Sequence, residues 1–275
     1  MRKLLLIFAF TLLLCDGCYA WGRREHAAVA QIAERHLTPE AKQLIGEYLH
    51  RRPMAYYAYD AEVYRQDMRI EIESKSAVRS VTLPLTYCVN GAMKPSRKVV
   101  DKRGYLTENI LYHIDLLARN LKANHRTMED SVRVVHLTLL IHAVGDMHCP
   151  THIGYEDNKQ FGKYKVFFGK GNSKKELVYN DIWNEKMISA IHPWSYSEMG
   201  ELFDIYTEQE IAQFSKGDIY AWGKDVATIA RPTHNYGEGC RIDEIDYRHR
   251  FQQVGEELMA TAGYRLAKLL NEILK

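Results

Sequence analysis

The sequence predicts an all-α protein built as a single compact multi-helix domain. Three observations carry this: segments with apolar residues at three- and four-residue spacing dominate the chain, β-branched alternation is scarce, and no Ser/Gly/Pro-rich stretch marks a linker or a tail. With 46% hydrophobic residues and 7 Pro in 275 positions, one large core is favoured over two small ones.

The first element is a leader. Met1-Arg2-Lys3 is basic, residues 4–14 form an apolar run too short to span a bilayer, and Cys18-Tyr19-Ala20 ends on a small residue. This reads as a secretory signal over residues 1–20, cut after Ala20, followed by one mature domain over 21–275 in a secreted or periplasmic protein. Lipoprotein processing at Cys18 is the weaker reading, because Cys15-Asp16-Gly17 makes a poor lipobox.

The mature helices follow in order. Residues 27–36 carry Ala28, Ile32 and His36 at four-residue spacing, and Thr38-Pro39-Glu40 supplies an N-cap, a first-turn proline and an acidic first turn for the next helix. Residues 106–121 form a helix through Ile110, Ile114, Leu117 and Leu121. Residues 131–147 form another, apolar along Val134, Val135, Leu137, Leu139, Leu140 and Ile141, and therefore buried. One strand-like run stands at 164–169, helix returns over 177–191, and a last helix over 251–274 lines up Val254, Leu258, Ala262, Leu266, Leu269 and Ile273.

The 37 basic and 35 acidic residues leave a formal charge near zero, and the leader removes two of the former and one of the latter. That excludes the strong positive field of a protein that grips duplex nucleic acid through its phosphates, so no duplex-specific DNA binding is expected. No amphipathic membrane-facing segment stands out, so no stable membrane insertion is expected either. Cys88, Cys149 and Cys240 remain in an oxidising compartment, with room for one disulfide whose pairing the sequence leaves open.

Chemistry-bearing residues gather in two places. Cleavage after Ala20 creates a free amine at Trp21, which with its own carbonyl oxygen and the His26 imidazole makes a ligand set that zinc accepts. On the buried helix, His142 and Asp146 are four apart and share a face, and Pro150 ends that helix just before His152. An aspartate on so apolar a helix is costly unless paired or coordinated, and Gly145 beside it permits close approach of another segment or an ion.

These residues belong to longer motifs: Trp21-Gly22-x3-His26; Tyr56-Tyr57-x2-Asp60-x-Glu62-x2-Arg65; His142-x2-Gly145-Asp146-x-His148-x-Pro150-x-His152; Val166-x-Phe168-Gly169; Asn180-x2-Trp183-Asn184; and the tail from Ala262-Gly263-Tyr264-Arg265 to Asn271-Glu272. Together they resemble the secreted zinc-dependent single-strand nucleases of fungi and plants, which are related to bacterial zinc-dependent phospholipase C, and the tail favours the nuclease branch. The resemblance implies the all-α fold of that group and a cleft with three zinc ions. It assigns Trp21 and His26, with Asp146 bridging, to one ion, and His142 and Asp146, with Glu62 and one further histidine, to a second. His152 belongs to a third, and Glu62, with Asp60 as its fallback, takes the carboxylate position that orients the attacking water.

The chain departs from the family pattern at several ligands. No histidine lies between His50 and His113, where the second ion's remaining ligand is expected. The histidine and aspartate of the third ion are replaced by Asn180 and Asn184, and an asparagine carbonyl is a poor substitute for imidazole and carboxylate around a dication. Asp181 and Glu185 would serve only if their helix turned by roughly 100°, which would expose Trp183. The resemblance thus implies a diverged zinc-dependent phosphodiesterase with one or two zinc ions, acting on single-stranded nucleic acid or nucleotides. A catalytically impaired binding protein on the same scaffold and a phospholipase C stand as alternatives. Tyr56, Tyr57, Tyr59, Tyr64 and Tyr87 are candidates either for stacking bases or for packing helices. His148 is a candidate for orienting the ligands by hydrogen bonds. His113, His125, His136, His192, His234 and His249 are assigned to core or surface.

Overall fold

The computed structural model describes residues 21–58, 69–74, 77–82, 87–95, 109–158 and 161–275. Among the described residues, eight longer helices organise it: α1 (Arg23–Arg35), α2 (Pro39–Tyr48), α3 (Ile110–Asn124), α4 (Asp130–His148), α5 (Tyr196–Leu202), α6 (Glu208–Phe214), α7 (Ile219–Ala230) and α8 (Glu244–Ile273). The all-α prediction holds.

Local chemistry sets the helix starts. Thr38 accepts the Ala41 amide at 3.2 Å ahead of Pro39, as its sequence predicts, and Asn109 accepts from Leu111 and Tyr112 at the head of α3. Ser195 with Glu198 and Thr207 with Glu210 form reciprocal capping boxes. The last helix begins at Glu244, seven residues before its apolar stripe suggests, because Asp243 caps it by accepting from Ile245 and Asp246.

Helix α4 is the centre of the molecule. Every residue from Leu137 to His148 is buried, which is what a helix apolar on all sides requires. It packs against α3, α8, α7 and α1, while α1 lies along α8 and α5. The α1–α8 contact is close because small residues permit it: a Cβ on Gly263 would come within 2.5 Å of Ile32 Cγ2 and 3.1 Å of the Val29 carbonyl oxygen.

Short strands tie the loops. Strands β1 (Arg69–Ser74) and β2 (Ala77–Thr82) pair antiparallel, β3 (Tyr87–Val89) runs parallel to β4 (Ile153–Tyr155), and β5 (Lys165–Gly169) pairs with β6 (Lys175–Val178) and β7 (Arg241–Asp243). The strand-like run at 164–169 is β5. The helix expected over 177–191 is corrected: Leu177 and Val178 pair with Val166 and Lys165 in the sheet, and the helical backbone starts only at Tyr179. Apolar spacing over a few residues does not distinguish these two outcomes, and the partner strand decided.

Among the described residues no helix is long and apolar enough to cross a membrane. Cys88, Cys149 and Cys240 are all free thiols, so none of the pairings the sequence left open is made.

Candidate metal centre

The centre forms where α1 meets α4. His26 stands on the first turn of α1, its amide donating to the Gly22 carbonyl oxygen at 3.1 Å, and His142 and Asp146 lie one turn apart on α4. Asp146 offers one oxygen to each ring: Oδ1 lies 3.2 Å from His26 Nε2 and Oδ2 lies 3.3 Å from His142 Nε2. The two imidazoles stack with centroids 4.2 Å apart. All three side chains are buried, at 1% exposure or less, and one ligand atom from each falls within 4.8 Å of the others.

Gly145 makes this geometry possible. A Cβ there would stand 2.5 Å from His26 Nδ1 and 2.8 Å from its Cε1, so any other residue would push α1 away from α4. The close approach inferred from sequence is thus an approach by His26.

Two opposing effects act on the Asp146 carboxyl. Burial pushes its pKa up, but the charge and hydrogen bond of His142, the hydrogen bond of His26 and the charge of His152 outweigh this and hold it well below the usual carboxylate range. The group therefore remains an anion inside the core, ready to meet positive charge. Burial also pushes the Cys149 thiol up to about 12, and the Asp146 and Glu25 carboxylates add to that, so both carboxylates bear on the same buried sulfur.

Trp21 is 1% exposed and its indole belongs to the main hydrophobic core, directly ahead of the turn that carries His26. His152 is buried at 1% exposure in the short turn that Pro150 opens after α4, and it is outside the close group of three. Glu62 and its fallback Asp60 lie outside the described residues, as do Tyr59 and Tyr64.

Asn180 and Asn184 both face inward, at 6% exposure each. They sit where a helical turn at Tyr179–Asp181 passes into a π-helical segment at Ile182–Lys186, marked by the Met187 amide donating to the Ile182 carbonyl oxygen at 2.9 Å. Thr151 donates its hydroxyl to Asn180 Oδ1. The rotated alternative is excluded by packing. Trp183 is fully buried and donates Nε1–H to the Tyr247 hydroxyl at 3.0 Å, while the Glu185 side chain is 67% exposed beside Lys186.

Of the two uses open to Tyr87, packing is the one taken, and the expectation for His148 is corrected. Tyr87 is fully buried and donates to the Gly223 carbonyl oxygen at 2.9 Å, so it is a core residue and has no base to stack. His148 turns away from the ligands: its Nδ1 lies 2.7 Å from the Val144 carbonyl oxygen and its Nε2 accepts from Arg265 at 3.1 Å. Tyr56, by contrast, is 44% exposed and Tyr57 half-buried.

Sequence reasoning missed Glu25. It is 1% exposed, Ser189 donates its hydroxyl to Oε1, and burial raises the carboxyl pKa against the pull of that hydrogen bond. An acidic residue directly before a candidate ligand in a first turn was the available signal, but a first-turn glutamate ordinarily serves the helix dipole from the surface.

Two imidazole nitrogens and an anionic carboxylate, buried together and reached through a glycine, fit zinc in both ligand type and number. No curated protein matches the chain. The model of the S1/P1 nuclease family does match, from Trp21 to Lys275, and with the helical fold and the His26, His142 and Asp146 cluster already in view, the chain belongs to that family.

Proposed function

We propose that this chain is a secreted, zinc-dependent phosphodiesterase that hydrolyses single-stranded nucleic acid or nucleotides. The observation that carries the reading is the buried set of His26, His142 and Asp146, with Asp146 offering one oxygen to each ring. When bound, zinc would supply a nucleophile at neutral pH and offset charge on the attacked phosphate.

The chain's own residues do the rest. Asp146 holds a negative charge in a water-excluded site and sets one oxygen against each Nε2 atom. Gly145 sets the distance between the helices that carry them. Trp21 contributes its amine once the leader is cut after Ala20, a reading supported by the family match beginning at that residue. Glu62 orients the attacking water, and His152 steadies the phosphate side of the cleft. The exposed Tyr56 offers an aromatic face to an unstacked base.

A specific observation favours a second reading, a catalytically impaired binding protein. Asn180 and Asn184 are the residues that face inward, and both are neutral, so the third ion of the family has lost its charged ligands. Elemental analysis and nuclease assays on the processed protein separate the two. The enzyme reading expects one or two zinc ions per chain and chelator-sensitive release of mononucleotides from single strands but not duplexes; zinc without any release selects the second reading, and a zinc-free chain sinks the enzyme reading.

A further inference from the structure

One stretch of the chain carries charge of a single sign. Residues 163–175 include Lys163, Lys165, Lys170, Lys174 and Lys175 and no acidic residue, in a chain whose formal charge is only +2. The stretch forms β5 and the turn that leads to β6. Lys165 and Phe167 stand two apart on one face of β5, and Arg241 of β7 is the register partner of Phe167, with its guanidinium 5.3 Å from the ring centroid. The opposite face is core, with Val166 and Phe168 buried. Lys165 and Arg241 are exposed and Phe167 is half-buried, so the outer face of the sheet offers an aromatic ring framed by cations.

Acidic neighbours cancel part of this charge. Glu176 of β6 lies opposite Phe167 and pairs with Lys165 at 3.8 Å, while Asp243 pairs with Lys174 at 3.5 Å. Glu238 accepts the Lys165 amide at 3.0 Å. Among the described residues no carboxylate pairs with Lys163, Lys170, Lys175 or Arg241, and all four are exposed. Just past the end of β6, Asn180 accepts from Thr151, the neighbour of His152, so the sheet adjoins the segment that carries that histidine.

We propose that the outer face of β5 and β7 is a docking surface for single-stranded nucleic acid, separate from the metal centre. Exposed cations without a countercharge attract phosphates and gain from the ions a strand releases. Phe167 with Arg241 supplies a platform for one base, and only an unpaired base can leave its own stack to lie there. No large apolar side chain of the three strands is exposed, as binding to an acyl surface would require. The choice of nucleic acid over another polyanion rests on the reading of the chain as a nuclease.

Fluorescence anisotropy tests the surface, with a labelled phosphorothioate oligothymidylate of about 20 nucleotides titrated with the full mature chain over a range of salt. Zinc per chain is measured in the same samples and is expected to stay the same in every variant. Replacing three cations together, Lys163→Gln, Lys170→Gln and Arg241→Gln, is expected to weaken binding about tenfold or more at low salt and to flatten the slope of log affinity against log salt by about two. Phe167→Leu keeps the apolar packing and removes the ring, so binding should weaken about fivefold or more with the slope unchanged. Unchanged affinity and slope in these variants overturns the surface, as does equal or tighter binding of a duplex or of anionic phospholipid vesicles. Should a variant fail to fold, the wild type decides: the strand must first shift the amide resonances of Lys165, Phe167 and Arg241, and shifts confined to His26 and His142 refute the proposal. A wild type that binds the strand on this face and cuts nothing leaves the surface standing and the nuclease reading fallen; one that cuts single strands while binding them independently of these residues does the reverse.

Discussion

Gly145 is the floor beneath the His26 imidazole, with the place of a Cβ on Gly145 only 2.5 Å from His26 Nδ1. Replacing it by alanine sets two effects against each other. Helix propensity would return about 1 kcal/mol, while overpacking of this kind costs about 1–3 kcal/mol. The clash wins, and His26 shifts. Gly145→Ala is expected to weaken zinc binding about 10- to 100-fold, measured by competition with a chromogenic chelator. Unchanged affinity would remove the glycine from the account of the site.

Asp146 is the one charged member of the group and touches both rings. Asp146→Asn keeps the shape and removes the charge, so zinc per chain should fall to near zero in elemental analysis. The rise in melting temperature that zinc gives the wild type should vanish with it. A variant that retains both would show that the imidazoles suffice.

Trp183 fixes the orientation of the π-helical segment. Trp183→Ala is expected to cost about 3–5 kcal/mol by urea unfolding, because it empties a fully buried site and leaves the Tyr247 hydroxyl with Tyr179 as its remaining partner. Glu185 is exposed and Asp181 only half-buried, outside the inward pair of Asn180 and Asn184, so Asp181→Asn and Glu185→Gln should leave metal content as it is. A drop in zinc on either change would revive the rotated helix.

Acid sensitivity follows from two buried histidines. Burial lowers His234 from 6.5 to about 3, against a hydrogen bond to the Pro150 carbonyl oxygen, and lowers His113 to about 4. For a base with a depressed folded pKa, the unfolded chain takes up the proton first. The stability is therefore complete above pH 6.5 and is lost as pH falls toward 4 and then 3. Each residue contributes about 1.4 kcal/mol per pH unit in that window, so unfolding at pH 5.5 should require about 2–3 kcal/mol less than at pH 7.5. A flat profile over that interval would show that these rings are charged in the folded state.

The parts of the fold that the sequence revealed are those whose signal is local. Thr38 and Pro39 announce α2, and the unbroken apolar run around Leu137 to Ile141 announces a helix buried on every side. Leu177 and Val178 were not legible, because their apolar character suits a strand as well as a helix, and only Val166 and Lys165 across the sheet decide. In the site, His142 and Asp146 were legible because four-residue spacing puts them on one face. Glu25 was not, since its depth depends on Ser189, 164 positions away.

By itself, then, the sequence determined the helical architecture, the shared face of His142 and Asp146, and the motif set that ties the chain to a family, because periodicity and spacing are properties of neighbouring residues. Tertiary structure alone decided that His26 reaches across Gly145 to that face, that Asn180 and Asn184 are buried while Glu185 is exposed, and that Tyr87 and His148 serve the core. Those outcomes rest on how distant helices fill one another's space, where a single Cβ or one buried indole outweighs any local preference.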